Sequence, residues 1–164
     1  METILYIAVD EIPEVNAFVA EIKALSLREQ LARTREFVQS RFRNWLSPRL
    51  GKLSPDEAAR LARARDQDEV RPLSECLRLG FGVCVEYHVL AKVVIDKLGI
   101  QCEFKVCEVP GAGGHTFLDV CVGGKWGIFD PFAEVYLRDH GAEGKLLDAR
   151  YYRTSRTREQ QATR

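Results

Sequence analysis

Leu79-Gly80-Phe81-Gly82-Val83-Cys84-Val85-Glu86-Tyr87-His88-Val89-Leu90-Ala91-Lys92-Val93-Val94-Ile95-Asp96-Lys97-Leu98-Gly99 is the stretch that decides the fold of this chain. From Val83 to Leu98 a helix would be apolar on nearly every side, with Val83, Val85, Val89, Leu90, Val93, Val94, Ile95 and Leu98 distributed around it. A helix with no face to give to water has to be packed against several neighbours. Gly99 stands where a C-terminal glycine cap belongs. Upstream, Leu73-Ser-Glu-Cys-Leu reads as a short helical turn ending in the glycine-bearing run Leu79-Gly80-Phe81-Gly82.

C-terminal to this helix the pattern changes to strands. Cys102 to Val109, His115 to Val122 and Lys125 to Phe132 are three of them, and Gly123-Gly124 joins the last two as a two-residue hairpin turn. N-terminal to it the chain reads as helices. Ser26-Leu27-Arg28-Glu29 is a capping box, with serine and glutamate satisfying free backbone N–H groups reciprocally. The apolar positions 27, 31, 38, 42 and 45 then carry a helical stripe to about Leu46. Ser54-Pro55-Asp56-Glu57 opens a second, highly charged helix to about Arg65, expected on the surface. Helices first, then a buried helix, then an antiparallel sheet make an α+β domain.

The bulk composition agrees with one such domain. The 164 residues are 46% hydrophobic and 29% charged, enough to bury a core. Residues 1–153 are expected to form one domain, and 154–164, almost without apolar residues, a polar frayed tail. Basic and acidic residues balance at 24 each, which argues against a nucleic-acid partner. No stretch approaches the ~18 apolar residues of a membrane span. The apolar run near Met1 has acids rather than Lys or Arg around it, unlike a secretory signal. A cytoplasmic protein with no membrane partner is the expectation, with export by an unconventional route as the alternative. Five cysteines (76, 84, 102, 107 and 121) form no CxxC pair, so neither a metal site nor a disulfide framework nor any cofactor is expected.

One cysteine stands apart. Cys84 falls in the first turn of the buried helix, where free N–H groups and the helix dipole favour a thiolate and can also hold an oxyanion. Taken alone it would more often be another buried thiol. The hairpin alters that balance. With Gly123-Gly124 as the turn, opposed positions sum to 247, so His115 opposes Phe132 and Asp130 opposes Phe117. His115 and Asp130 then share a face as diagonal neighbours, roughly 7–8 Å apart at the backbone. That distance lets an imidazole reach a carboxylate able to fix its tautomer. Asp119 shares the face but lies four residues along the strand. His88, one turn after Cys84 on the same helix face, is the rival base, though packing is its more ordinary role. His140 reads as a surface residue, Glu86 as a complement to the helix dipole, and Phe42 and Trp45 as core.

These motifs resemble the transglutaminase-like cysteine enzymes. Leu73 to Leu90 with Leu98-Gly99-Ile100 is similar to the nucleophile-helix motif of that family, Gly114-His115-Thr-Phe-Leu-Asp-Val to its histidine motif, and Lys125-Trp-Gly-Ile-Phe-Asp130-Pro-Phe to its aspartate motif. The resemblance covers residues 72 to 132 in the family's order and implies a papain-like core. It further implies Cys84 as nucleophile, His115 as general base and acid, and Asp130 as orienter. A tryptophan upstream of the cysteine often serves the family as an oxyanion donor, which makes Trp45 the candidate here. The implied chemistry is thioester formation from a peptide or protein amide. Hydrolysis of a peptide or glutamine amide is favoured, and transamidation or another acyl transfer, or a noncatalytic binding module on the same fold, are the alternatives.

Overall fold

The computed structural model describes residues 1–109 and 113–141. The tail expected at 154–164 lies outside them. Among the described residues the chain is α+β: helices come first, and an antiparallel sheet follows.

The N-terminal half begins with two-residue strands β1 (Thr3–Ile4) and β2 (Ile7–Ala8), then helix α1 (Pro13–Ile22). Helix α1 is not among the elements expected above. Its signals are nonetheless ordinary ones: Pro13 at the first helical position, Glu14 in the first turn, and Val15, Phe18, Val19 and Ile22 buried at helical spacing. Helix α2 (Leu27–Arg41) starts at the expected capping box on Ser26 and Glu29. Phe18 and Phe37 stack between α1 and α2 with ring centroids 4.0 Å apart.

The expected extension of α2 to Leu46 does not occur. Phe42 is extended, and strand β3 (Arg43–Asn44) pairs in parallel with β5 (Phe81–Gly82), Arg43 against Phe81 and Asn44 against Gly82. Arg43 N–H donates to Gly80 O at 2.9 Å. Pairing with a segment some forty residues away overrides the local helical stripe. Phe42 and Trp45 are buried as expected, but Phe42 from extended backbone and Trp45 from the turn after β3, not from a helix face.

Helix α3 (Pro55–Arg65) carries the second capping box on Ser54 and Glu57 and buries only Leu61 and Ala64. Strand β4 (Arg71–Pro72) joins β2 in parallel, and helix α4 (Leu73–Leu79) leads to β5. Gly80 ends α4 at φ +73°, a backbone conformation that favours glycine.

Helix α5 (Cys84–Lys97) is the centre of the molecule. Ten of its fourteen residues are buried, which is the all-round burial its composition requires. It packs against α2, against the sheet, and against helix α6 (Pro131–Asp139). The sheet orders β6 (Cys102–Val109), β7 (Gly113–Val122) and β8 (Lys125–Phe129) antiparallel, with β7 central. The β7–β8 register is the one implied by the Gly123-Gly124 turn: Val122 faces Lys125 and Leu118 faces Phe129. The third strand stops at Phe129, short of the expected Phe132. Asp130 caps α6 and Pro131 begins it, so a helix start signal cuts the strand off.

Candidate active site

The site is assembled at the N-terminal end of α5. Val83, the residue before the helix, is extended, and Cys84 is its first helical residue. A first-turn N–H has no acceptor within its own helix, so the Cys84 N–H is available to a ligand. The approach to this helix is tight. A Cβ on Gly82 would sit 2.8 Å from Glu86 Cβ and 3.3 Å from Phe42 Cδ1, so the position requires glycine for close packing.

Glu86 sits under the same turn. Its carboxylate accepts from Val83 N–H at 2.9 Å and from the Tyr6 hydroxyl at 2.7 Å. Gln67 in turn donates to the Tyr6 oxygen at 2.7 Å. Burial pushes the Glu86 carboxyl up, against the Val83 and Tyr6 hydrogen bonds and the nearby Arg71 charge. Burial, then the Glu86 charge, holds the Tyr6 phenol well above its ordinary range. Glu86, in the first turn of α5, complements the helix dipole, as expected. The structure adds that it ties the entry to α5 to the N-terminal hairpin.

His115 lies in β7 opposite Cys107 of β6 and is buried. Its Nε2 is 2.7 Å from Asp130 Oδ2. Asp130 is fixed from a second direction, because its Oδ1 accepts the Ala133 N–H at 3.0 Å as the cap of α6. With Nε2 engaged, Nδ1 is the His115 nitrogen left to face Cys84. Burial pulls the His115 pKa down, but the hydrogen bond to Asp130, together with the Cys84 sulfur beside the ring, outweighs it and raises the value from 6.5 to about 9. For Asp130 burial acts upward, yet His115 and His88 hold the carboxyl far below the usual carboxylate range. The pair is a buried carboxylate with an imidazolium, each stabilising the other's charge.

His88 is packed, as its more ordinary role suggested, but it is not idle packing. It is fully buried, with Nδ1 3.1 Å from Thr116 Oγ1 and Nε2 3.0 Å from Asp130 Oδ1. The Nε2 contact is close but off the line of a good hydrogen bond. The two imidazoles meet edge to face with centroids 5.9 Å apart. Sequence spacing placed His88 on the face of Cys84; that it reaches Asp130 instead depends on where β8 ends.

Cys84 and His115 open on a common cleft of about 470 Å³, also lined by Leu46, Val83, Phe132 and Tyr136. His140 is exposed, as expected, and also borders this cleft; its Nδ1 donates to Tyr136 O at 2.8 Å and its ring stacks on Tyr136. Trp45 is buried in the main core, its backbone N–H donating to Gly82 O, and among the described residues it is Leu46, not Trp45, that borders the cleft. Asp119 is buried in β7 opposite Glu103 and Ile128.

Among the described residues no group of three or more His, Cys, Asp or Glu side chains is arranged to hold a metal ion, and no helix is long and apolar enough to cross a membrane.

No family model and no curated protein matches the chain. Among solved structures, a proposed cysteine protease from Cytophaga hutchinsonii is similar, with 13% identity, a TM-score of 0.42, and 75% of this chain aligned to 43% of that one. The chain therefore spans less than half the length of that protein. A likeness at this level carries no functional argument, and the reading of the site rests on its own geometry.

Proposed function

We propose that this chain is a thiol-dependent hydrolase of peptide or protein amides, with Cys84 as nucleophile, His115 as general base and acid, and Asp130 as orienter. The observation that carries the reading is the juxtaposition of a helix-start cysteine with a histidine whose other nitrogen is 2.7 Å from a buried carboxylate, both opening on one cleft. The motif resemblance to transglutaminase-like enzymes, with its papain-like core, supports the same assignment.

In this reading the Cys84 sulfur, its proton taken up by His115, attacks the amide carbonyl carbon. The oxyanion forms where the Cys84 N–H, free of an intrahelical partner, can donate to it. The C–N bond breaks as the His115 imidazolium gives its proton to the leaving amine, and an acyl thioester remains on Cys84. His115, now neutral, takes a proton from water as the oxygen attacks the thioester carbonyl. The C–S bond then breaks, releasing the acid and returning the Cys84–His115 pair. Asp130 stays ionised throughout and keeps the proton-bearing Nε2 of His115 turned away from the sulfur.

The test is iodoacetamide alkylation across pH, with each cysteine mapped by mass spectrometry, on the wild type and His115→Ala. The reading expects Cys84 to label at lower pH than the other four cysteines and to lose that advantage in His115→Ala. Hydrolysis of a peptide or glutamine amide that vanishes in Cys84→Ala completes it. Cys84 labelling that ignores His115 overturns the catalytic reading in favour of a binding module.

A further inference from the structure

The site contains a second histidine that the proposed chemistry does not use. His88 has no exposure at all, and it stands between Thr116 of β7 and Asp130 at the start of α6. A buried imidazole needs partners for both nitrogens. One tautomer suits both neighbours. With a proton on Nε2, that N–H lies 3.0 Å from Asp130 Oδ1, off the hydrogen-bond line and so as an electrostatic contact, and Nδ1 accepts from the Thr116 hydroxyl. Asp130 then has each oxygen assigned: Oδ2 to His115, and Oδ1 to Ala133 N–H and His88. A carboxylate approached from only one side can turn about its terminal torsion, which is broad for aspartate. One held by three elements (α5, β7 and the first turn of α6) cannot.

We infer that His88 is a positioning residue for the proposed triad: together with Thr116 it fixes the plane of the Asp130 carboxylate so that Oδ2 stays on His115. The inference rests on the triad reading above. His88 acts through Asp130 and touches no substrate, since it does not border the cleft among the described residues. The groups that face His115 and bear on its titration are Cys84 and His88 from α5, Asp130 from the start of α6, Cys107 from β6 and, across the cleft, His140.

The experiment is the pH profile of Cys84 alkylation on the full chain, for wild type, His88→Leu, His88→Gln and Thr116→Val, with thermal melts to establish folding. Glutamine carries an N–H donor to about the position of Nε2, and leucine carries none. The inference expects the His115-dependent alkaline limb to move to lower pH in His88→Leu, to recover most of the way in His88→Gln, and to move by a smaller amount in the same direction in Thr116→Val. Thr116→Val removes one hydroxyl at constant shape, and so reports even if His88→Leu does not fold. A slower rate on an unmoved limb in the folded variants overturns the inference, because it is what mere packing predicts. A limb that moves to higher pH also overturns it, since His88 would then only draw charge from Asp130. If wild-type Cys84 shows no dependence on His115, the triad reading itself fails, and that outcome is told apart by the wild-type and His115→Ala pair alone.

Discussion

Replacing Asp130 by asparagine keeps the side-chain shape and removes the charge, and its cost depends on pH in a way the structure sets. His115 is raised from 6.5 to about 9, so the folded chain holds that proton more tightly than the unfolded chain does. At ~1.4 kcal/mol per pKa unit, the difference corresponds to about 3 kcal/mol of stability at most. Below the unfolded value of 6.5 both states carry the proton, and the contribution is fully present. As pH rises through about 9 the folded state gives up the proton too, and the contribution is lost. Asp130 runs the opposite way. Its carboxyl is held below the ordinary 3.8, so its part is present above that value and disappears only in acid. The pair therefore stabilises most between roughly pH 4 and 6.5 and fades above.

Urea denaturation from pH 5.5 to 9.5, comparing the wild-type residue with Asp130→Asn, reads this directly. Both chains should carry Cys84→Ala, because the sulfur also contributes to the His115 value and would blur the comparison. Removing its share leaves an expected difference of about 2 kcal/mol near pH 6, shrinking as pH approaches 9.5. Both chains should also carry Cys107→Ser, because the Asp130 charge helps to raise that thiol; titration of surface groups and of the remaining cysteines is then common to both chains and cancels. Two curves that stay parallel within ~0.5 kcal/mol over the range would show that no charged His115–Asp130 pair exists in the folded state, and the proposed triad would lose its orienter.

Three further outcomes follow from single contacts. Gly82→Ala places a methyl 2.8 Å from Glu86 Cβ, so it should destabilise the chain by about 1–3 kcal/mol in urea denaturation, and an unchanged midpoint would contradict the close approach. Burial raises the thiols of Cys76 and Cys102 to about 12 and Cys107 to about 11, so at pH 8 these three should alkylate after Cys84, and mass mapping that finds any of them ahead of it refutes the ranking. Trp45→Phe should alter stability while leaving Cys84-dependent turnover in place; a fall of ~100-fold in kcat would instead give Trp45 the oxyanion role that the resemblance implied.

The parts of the site that could be read from sequence are those fixed by short-range geometry. Two glycines at 123 and 124 set the register of β7 on β8, and that register was enough to bring Asp130 beside His115 even though Asp130 is not in the strand. One residue past the last pair, the chain is still where the register would put it. The capping boxes at Ser26 and Ser54 fixed two helix starts for the same reason, since each is closed within four residues. The end of α2 was not legible, because it is decided by the β3–β5 pairing and by Gly80 and Gly82 on the far side of α3. Nor could Gly82 be read as more than a turn former, when its requirement comes from the side chains of Glu86 and Phe42.

His88 marks the boundary between the two kinds of information most clearly. Its spacing from Cys84 says only that both share one helix face, which makes it look like a rival to His115 for the thiol. What separates their roles is the hand-over from β8 to α6. Because Asp130 and Pro131 begin a helix one residue after Phe129, the carboxylate turns in over α5, one oxygen meeting His115 and the other meeting His88. Had β8 run on to Phe132, Asp130 would have stayed on the strand face with His115 alone. The local signal for the turn was present as an aspartate followed by proline. Its consequence, a carboxylate shared by two histidines, exists only when three elements meet, and so the histidine that looked like a competitor for the sulfur is instead placed to hold the aspartate.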